Sequence, residues 1–182
     1  MLILASQSPR RKEILLNAGI EFSVRAAGVD ESLTGDESPI EHARRLARMK
    51  ALAVPMNQDE VILGADTIVI VDDEVLGKPQ DERDARRMLA MLSGRSHIVT
   101  TAICLRHARG EIVDSESTLV RFGELSADEI TAYAASGEPR DKAGAYAIQG
   151  LASKYIDRVE GCYFNVVGLP IALVWKHLRT LQ

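Results

Sequence analysis

The chain has 182 residues, 46% of them hydrophobic and 26% charged, with a formal net charge of −4. That composition places it among folded globular proteins and excludes disordered and fibrous classes; the negative balance leaves no broad basic field for a general nucleic-acid or membrane-surface binder. No apolar run approaches the roughly 20 residues of a membrane helix, and the chain opens on a strand-like run instead of a secretory signal, so a cytoplasmic protein with no membrane contact is expected.

The length suits one domain over 1–182, or two lobes sharing one sheet. Cys104 and Cys162 lie far apart with no CxxC pattern, and His42, His97, His107 and His177 show no ligand spacing. Two buried free thiols are expected, and a structural zinc site is not.

Taken in order, Leu2 to Ala5 is a short apolar strand, and Ser6 to Leu15 reads as a tight loop entering a helix. Ser8 is the natural N-cap and Pro9 the first helical residue, where its missing N–H costs nothing. Arg10, Arg11 and Lys12 then put three cations where the helix dipole disfavours each by about 0.3–1 kcal/mol. A bound phosphate would offset that, since a helix N-terminus offers free N–H groups and guanidinium forks offer paired donors. A solvated basic turn is the plainer reading, and the segment alone does not choose.

Gly19 ends that helix, and Phe22 to Ala26 alternates like a half-buried strand. Asp30 and Glu31 follow in a polar loop, where solvated acids are the default. Ser38-Pro39-Ile40-Glu41 is a capping box opening a helix to about Val54, with Ile40, Ala43, Leu46, Ala47 and Ala51 as its apolar stripe. Lys50 lies on the border of that stripe; on spacing alone a structural role is favoured, with reaching inward as the alternative.

Val61 to Val71 is the most apolar segment, β-branched, and is expected to be a central strand buried on both faces. It holds one acid, Asp66. An isolated carboxylate in such a run is costly to bury unless it is paired, binds a metal or opens into a site, which favours a functional reading. Asp72-Asp73 fit a hairpin turn. Gly77-Lys78-Pro79 brings a point charge after the return strand but lacks the frame of a Walker A loop. Asp81 caps a helix lined by Ala85, Met88, Leu89 and Leu92. Ile98 to Leu105 and Ile112 to Phe122 form a long hairpin about residues 107–110. Ser126 to Glu129 is a second capping box, for a helix closed by Gly137 and Pro139.

Asp141 to Gly150 packs two glycines and several small and polar residues into ten positions. It reads either as close backbone approach to a ligand, with Lys142 and Gln149 contacting phosphate and base, or as an ordinary Gly-rich loop. A strand around Tyr155 to Val159 follows, and Pro170 opens an amphipathic helix with Ile171, Val174, Trp175, Leu178 and Leu181 turned inward. Strands alternating with helices around one inserted hairpin indicate an α/β fold with a mixed sheet.

Together these pieces resemble the Maf family of nucleoside triphosphate pyrophosphatases. The matching residues are Ser6-Gln7-Ser8-Pro9-Arg10-Arg11, Val29-Asp30-Glu31, the Lys50 helix, Gly64-Ala65-Asp66-Thr67, Gly77-Lys78-Pro79, and Asp141 to Tyr146 running into Ile148-Gln149-Gly150. The resemblance implies an elongated α/β structure with a mixed sheet, flanking helices and two lobes around a central cleft, the inosine-triphosphatase-like (Maf/Ham1) fold. It also implies a homodimer, a divalent cation (Mg²⁺ or Mn²⁺), and hydrolysis of a nucleoside triphosphate to monophosphate and pyrophosphate. Arg10, Thr67 and Gln149 are similar to the subgroup acting on dTTP and UTP; the subgroup acting on 7-methyl-GTP commonly has Ser-Asp-Gln where this chain has Ala65-Asp66-Thr67. The family also carries an association with septum formation.

On that frame Ser8, Arg10, Arg11, Lys50, Lys78 and Lys142 would surround the triphosphate. Asp66 and Glu31 would hold the cation, and Asp66 would be the general base. Gln149 could read O4 and N3–H of uracil or thymine, with Thr67 assisting. The alternatives are a regulatory module that binds nucleotide without cutting it, which would not need Asp66, and the same chemistry on another nucleotide.

Overall fold

A computed structural model describes residues 1–32 and 37–181. It has seven strands and six α-helices among the described residues. In chain order they are β1 (Leu2–Leu4), α1 (Pro9–Asn17), β2 (Phe22–Val24), α2 (Pro39–Leu52), β3 (Val61–Val71), β4 (Glu74–Leu76), α3 (Glu82–Leu92), β5 (Ser96–His107), β6 (Gly110–Phe122), α4 (Ala127–Ala135), β7 (Ile156–Glu160), α5 (Tyr163–Val167) and α6 (Ile171–Leu178). Three short 3₁₀ turns occupy Glu138–Asp141, Ala143–Ala145 and Leu151–Tyr155.

The strands pair in the order β2-β1-β3-β5-β6-β7, with β4 also on β3. β1 is parallel to both β2 and β3, whereas β3–β4 and β6–β7 are antiparallel, so the sheet is mixed as the element order predicts. The expected central strand is β3. Its interior run Ile62 to Asp66 is buried throughout, as a β-branched strand between two neighbours must be.

The chain divides into two compact units. The first comprises residues 1–67, 101–116 and 168–182, and the second 68–100 and 117–167. In the first, Ile3, Leu4, Leu15, Ile62, Leu63, Ile103 and Leu105 are fully buried; in the second, Leu76, Leu89, Leu92 and Phe122 are.

Local signals in the sequence set most boundaries. Ser8 caps α1 ahead of Pro9, and Ser38 and Ser126 form reciprocal capping boxes with Glu41 and Glu129. Asp72 and Asp73 both take positive φ in the two-residue β3–β4 turn.

Four expectations of burial fail. Val24 is exposed, because β2 is the edge strand beyond β1. Ile40 is exposed in the first turn of α2, where His42 is buried instead. Trp175 is 45% exposed because the covered side of α6 centres on Val174, and the next residue lies about 100° around the helix. Cys104 is buried, but Cys162 is only half-buried at the entry to α5, a helix the sequence pattern does not announce.

Candidate active site

The first unit gathers Ser8, Arg10, Arg11, Glu31, Lys50, Asp66 and Thr67. The Ser8 hydroxyl accepts from the Arg11 amide at 3.5 Å, and the Ser6 hydroxyl accepts from the Ser8 amide at 3.2 Å, so the loop between β1 and α1 is closed by its own serines. No acid stands in the first turn of α1. The charge that the helix dipole disfavours is therefore not offset by an acid of that turn.

Arg11 is fixed along its fork. Nε donates to the Gly168 carbonyl at 2.8 Å, Nη1 to Ser6 Oγ at 3.2 Å and Nη2 to Thr67 Oγ1 at 3.1 Å. Thr67 Oγ1 in turn shares a hydrogen bond with Thr101 Oγ1 at 2.9 Å. Burial lowers the Arg11 pKa from its ordinary value, Asp66 opposes that shift, and the neighbouring Arg10 adds to it. The guanidinium nevertheless remains charged. This half-buried cation thus stands between the attraction of Asp66 and the repulsion of Arg10.

Lys50 is the second centre. Its ammonium lies 2.6 Å from Asp66 Oδ1 and 2.6 Å from Glu31 Oε1. Asp66 is 7% exposed on β3, so the acid that looked costly in the sequence is paired. Helix packing sets this meeting. Gly64, two residues before Asp66 and on the same face of β3, lies so near α2 that a Cβ would fall 2.1 Å from the Ala47 carbonyl oxygen and 2.7 Å from the Ala51 amide. Lys50 belongs to the same turn of α2 and is carried onto Asp66.

Glu31 reaches Lys50 from a loop ordered at its neighbours. Asp30 Oδ1 accepts from the Ser32 hydroxyl at 2.6 Å and the Ser32 amide at 2.9 Å, bonds that hold the Asp30 pKa below its ordinary value. Arg45 Nη2 donates to the Ser32 carbonyl at 2.9 Å and is gripped by Glu37. The two carboxylate oxygens on Lys50 thus lie within twice 2.6 Å of each other. Two hard oxygen donors gathered on one ammonium are of the type that a small divalent cation takes, completed by water and phosphate oxygens. No cluster of three or more His, Cys, Asp or Glu residues suited to a metal occurs among the described residues.

The second unit holds Lys78, Lys142 and Gln149. The Gly144 amide donates to the Gly77 carbonyl at 3.1 Å, so the segments holding Gly77-Lys78-Pro79 and Asp141 to Gly150 touch. Gln149 and Lys78 are exposed. Lys142 is turned onto its own segment, donating to the Glu138 carbonyl at 2.9 Å and pairing with Asp141 at 2.5 Å. Beneath, the His97 ring nitrogen Nε2 bonds the Tyr146 hydroxyl at 2.8 Å, and Tyr133 ties Glu138 at 2.7 Å to the Ala147 amide at 3.1 Å.

Ser6, Thr101 and Gly168 were not foreseen as parts of the site. Ser6 stands in the quoted motif and could have been found. Gly168, 157 positions from Arg11, carries no local signal.

A family model described as Maf-like protein matches residues 1–181. The chain is 52% identical over 179 residues to a Koribacter versatilis protein named dTTP/UTP pyrophosphatase, covering 98% of this chain and 93% of the relative. It is 46% identical over 182 residues to the Aquifex aeolicus protein of the same name, covering 100% of this chain and 95% of the relative. Among solved structures, the Staphylococcus aureus Ham1 protein is similar with a TM-score of 0.56 at 13% identity, over 100% of this chain and 99% of that one. That last likeness concerns architecture alone, and it agrees with the Ham1-like fold expected from the sequence.

Proposed function

Because the chain belongs to the family of Maf-like proteins, we propose that it hydrolyses dTTP and UTP to the monophosphate and pyrophosphate, with Asp66 at the centre of the reaction. The observation that carries this reading is the junction of one lysine with two carboxylates, Asp66 and Glu31, each at 2.6 Å, in the unit that also holds the anchored guanidinium of Arg11. Curated relatives named for that activity match nearly end to end.

Cutting between the α and β phosphates needs neutralised charge, a positioned water and a leaving group that departs as pyrophosphate. Ser8 and the amide end of α1 face the triphosphate, with Arg10, Arg11 and Lys50 as its counter-charges. Arg11 is pre-set for this role, because Gly168, Ser6 and Thr67 fix its fork before substrate arrives. We assign Thr67 to that anchoring in place of base reading, since its hydroxyl is already engaged by Arg11 and Thr101.

Asp66 takes the proton of the attacking water as its oxygen bonds to Pα; the bond from Pα to the bridging oxygen breaks, and its electron pair leaves on pyrophosphate. Glu31 and Asp66 are the residues that would hold Mg²⁺ or Mn²⁺. When bound, such an ion supplies charge neutralisation and polarisation of a phosphate oxygen. In the second unit, Gln149 reads the pyrimidine edge while Lys78 and Lys142 meet phosphate, Lys142 by exchanging its contacts with Glu138 and Asp141. A homodimer, implied by the resemblance, is part of the same proposal.

Hydrolysis of dTTP in ¹⁸O-labelled water tests the bond that is cut. Label in the monophosphate is expected; label in pyrophosphate would place the attack at Pβ and overturn the scheme.

A further inference from the structure

The ammonium of Lys50 and a divalent cation would claim the same two oxygens. Lys50 Nζ sits 2.6 Å from both Asp66 Oδ1 and Glu31 Oε1, inside the ligand set assigned above. With the ammonium in place, the group of two carboxylates and one lysine carries a net charge of −1. A divalent ion added beside it would face a cation at contact distance, and repulsion at that range, in a site where Asp66 is 7% exposed, is only partly screened.

The ammonium must therefore yield if a divalent ion is to enter, and it is better able to move than Arg11. Arg11 is pinned by a carbonyl and two hydroxyls, whereas the ion pairs of Lys50 both run to the contested carboxylates. The α2 backbone is held against β3 by the close fit at Gly64, so any displacement falls to the four-carbon stem of Lys50. A triphosphate is the anion that would draw the ammonium off.

We propose that Lys50 is an exchangeable counter-ion that makes divalent-metal binding conditional on nucleotide. The ammonium closes the Asp66–Glu31 pair until a triphosphate takes it, and only then do both oxygens turn to the metal. This rests on the reading of Asp66 and Glu31 as the metal ligands, and it adds the order in which the site fills. Metal and nucleotide then favour each other's binding by one shared factor, as linkage requires.

The test is titration of Mn²⁺ into wild type, Lys50→Met and Lys50→Arg, read by electron paramagnetic resonance of free Mn²⁺, with and without a non-hydrolysable α,β-methylene analogue of dTTP. In the absence of analogue, Lys50→Met is expected to bind Mn²⁺ about tenfold more tightly than wild type, a coupling of ordinary size. Lys50→Arg, which keeps the charge and provides for the case in which the neutral variant does not fold, is expected to bind no more tightly than wild type. The analogue is expected to tighten Mn²⁺ binding more in wild type than in Lys50→Met. Equal or weaker Mn²⁺ binding by folded Lys50→Met, or tighter binding by Lys50→Arg, would overturn the exchange while leaving the metal ligands standing. Failure of wild type to bind Mn²⁺ even with the analogue would instead remove the metal reading beneath it.

Discussion

Gly64 and Ala47 approach so closely that any side chain on Gly64 would collide with the Ala47 carbonyl, 2.1 Å from the position of a Cβ. This contact fixes the height of α2 above β3, and with it the distance from Lys50 to Asp66. Gly64→Ala must push the helix away, because backbone cannot yield as a side-chain tip can. Overpacking of this kind costs about 1–3 kcal/mol, and a melting curve should show the midpoint lowered by several degrees. Turnover should fall further than stability explains, since the Lys50–Asp66 pair is stretched. A variant that melts and turns over like wild type would show that α2 does not set the site.

Asp66→Asn keeps the shape of the side chain and removes its capacity to take a proton. Turnover of dTTP is expected to drop by about 10²–10⁴-fold, the range for loss of a general base, while nucleotide binding measured by calorimetry persists. Undiminished turnover would take Asp66 out of that role.

Arg11 is held by three acceptors that no single ammonium can span. Arg11→Lys keeps the charge and loses the fork, so kcat/KM should fall by about 10–100-fold, a loss of about 1.4–2.8 kcal/mol of transition-state stabilisation. Steady-state kinetics on dTTP decides it. Activity within twofold of wild type would mean that charge alone suffices.

His97 links stability to pH. It is 2% exposed, stacks on Phe122, bonds Tyr146, and leaves Nδ1 without a hydrogen-bond partner. Burial pushes its pKa down to about 4, from 6.5 in the open chain. The folded state thus resists a proton that the unfolded state accepts, and the stabilisation is complete above pH 6.5 and lost as pH falls toward 4. The full shift corresponds to at most about 3–4 kcal/mol. Melting temperatures of wild type should decline across this window, and His97→Phe should decline less; equal declines would exclude His97 as the source.

What the sequence disclosed was local or self-contradictory. Caps at Ser8, Ser38 and Ser126 announce helices because one side chain and one amide three residues on suffice to make them. Asp66 was conspicuous because a carboxylate in a β-branched run needs a partner. The partner was not equally visible: Lys50 sits at the edge of an apolar stripe, and only the close fit at Gly64 decides that it points inward. Gly168 and Thr101 were hidden for a similar reason, since nothing near residue 11 records which distant carbonyl or hydroxyl the fold will deliver. Trp175 misled because hydrophobicity alone does not say how wide the covered side of a short helix is.

The Asp66 cluster is proposed to serve a pyrophosphatase acting on dTTP and UTP. The most direct test is pyrophosphate release by the purified protein from dTTP, UTP, dCTP, dATP, dGTP and 7-methyl-GTP, with Mg²⁺ or Mn²⁺ and after chelation. Release confined to dTTP and UTP and abolished by chelation is the result predicted; nucleotide bound without release, or release from purine nucleotides in preference, would contradict it.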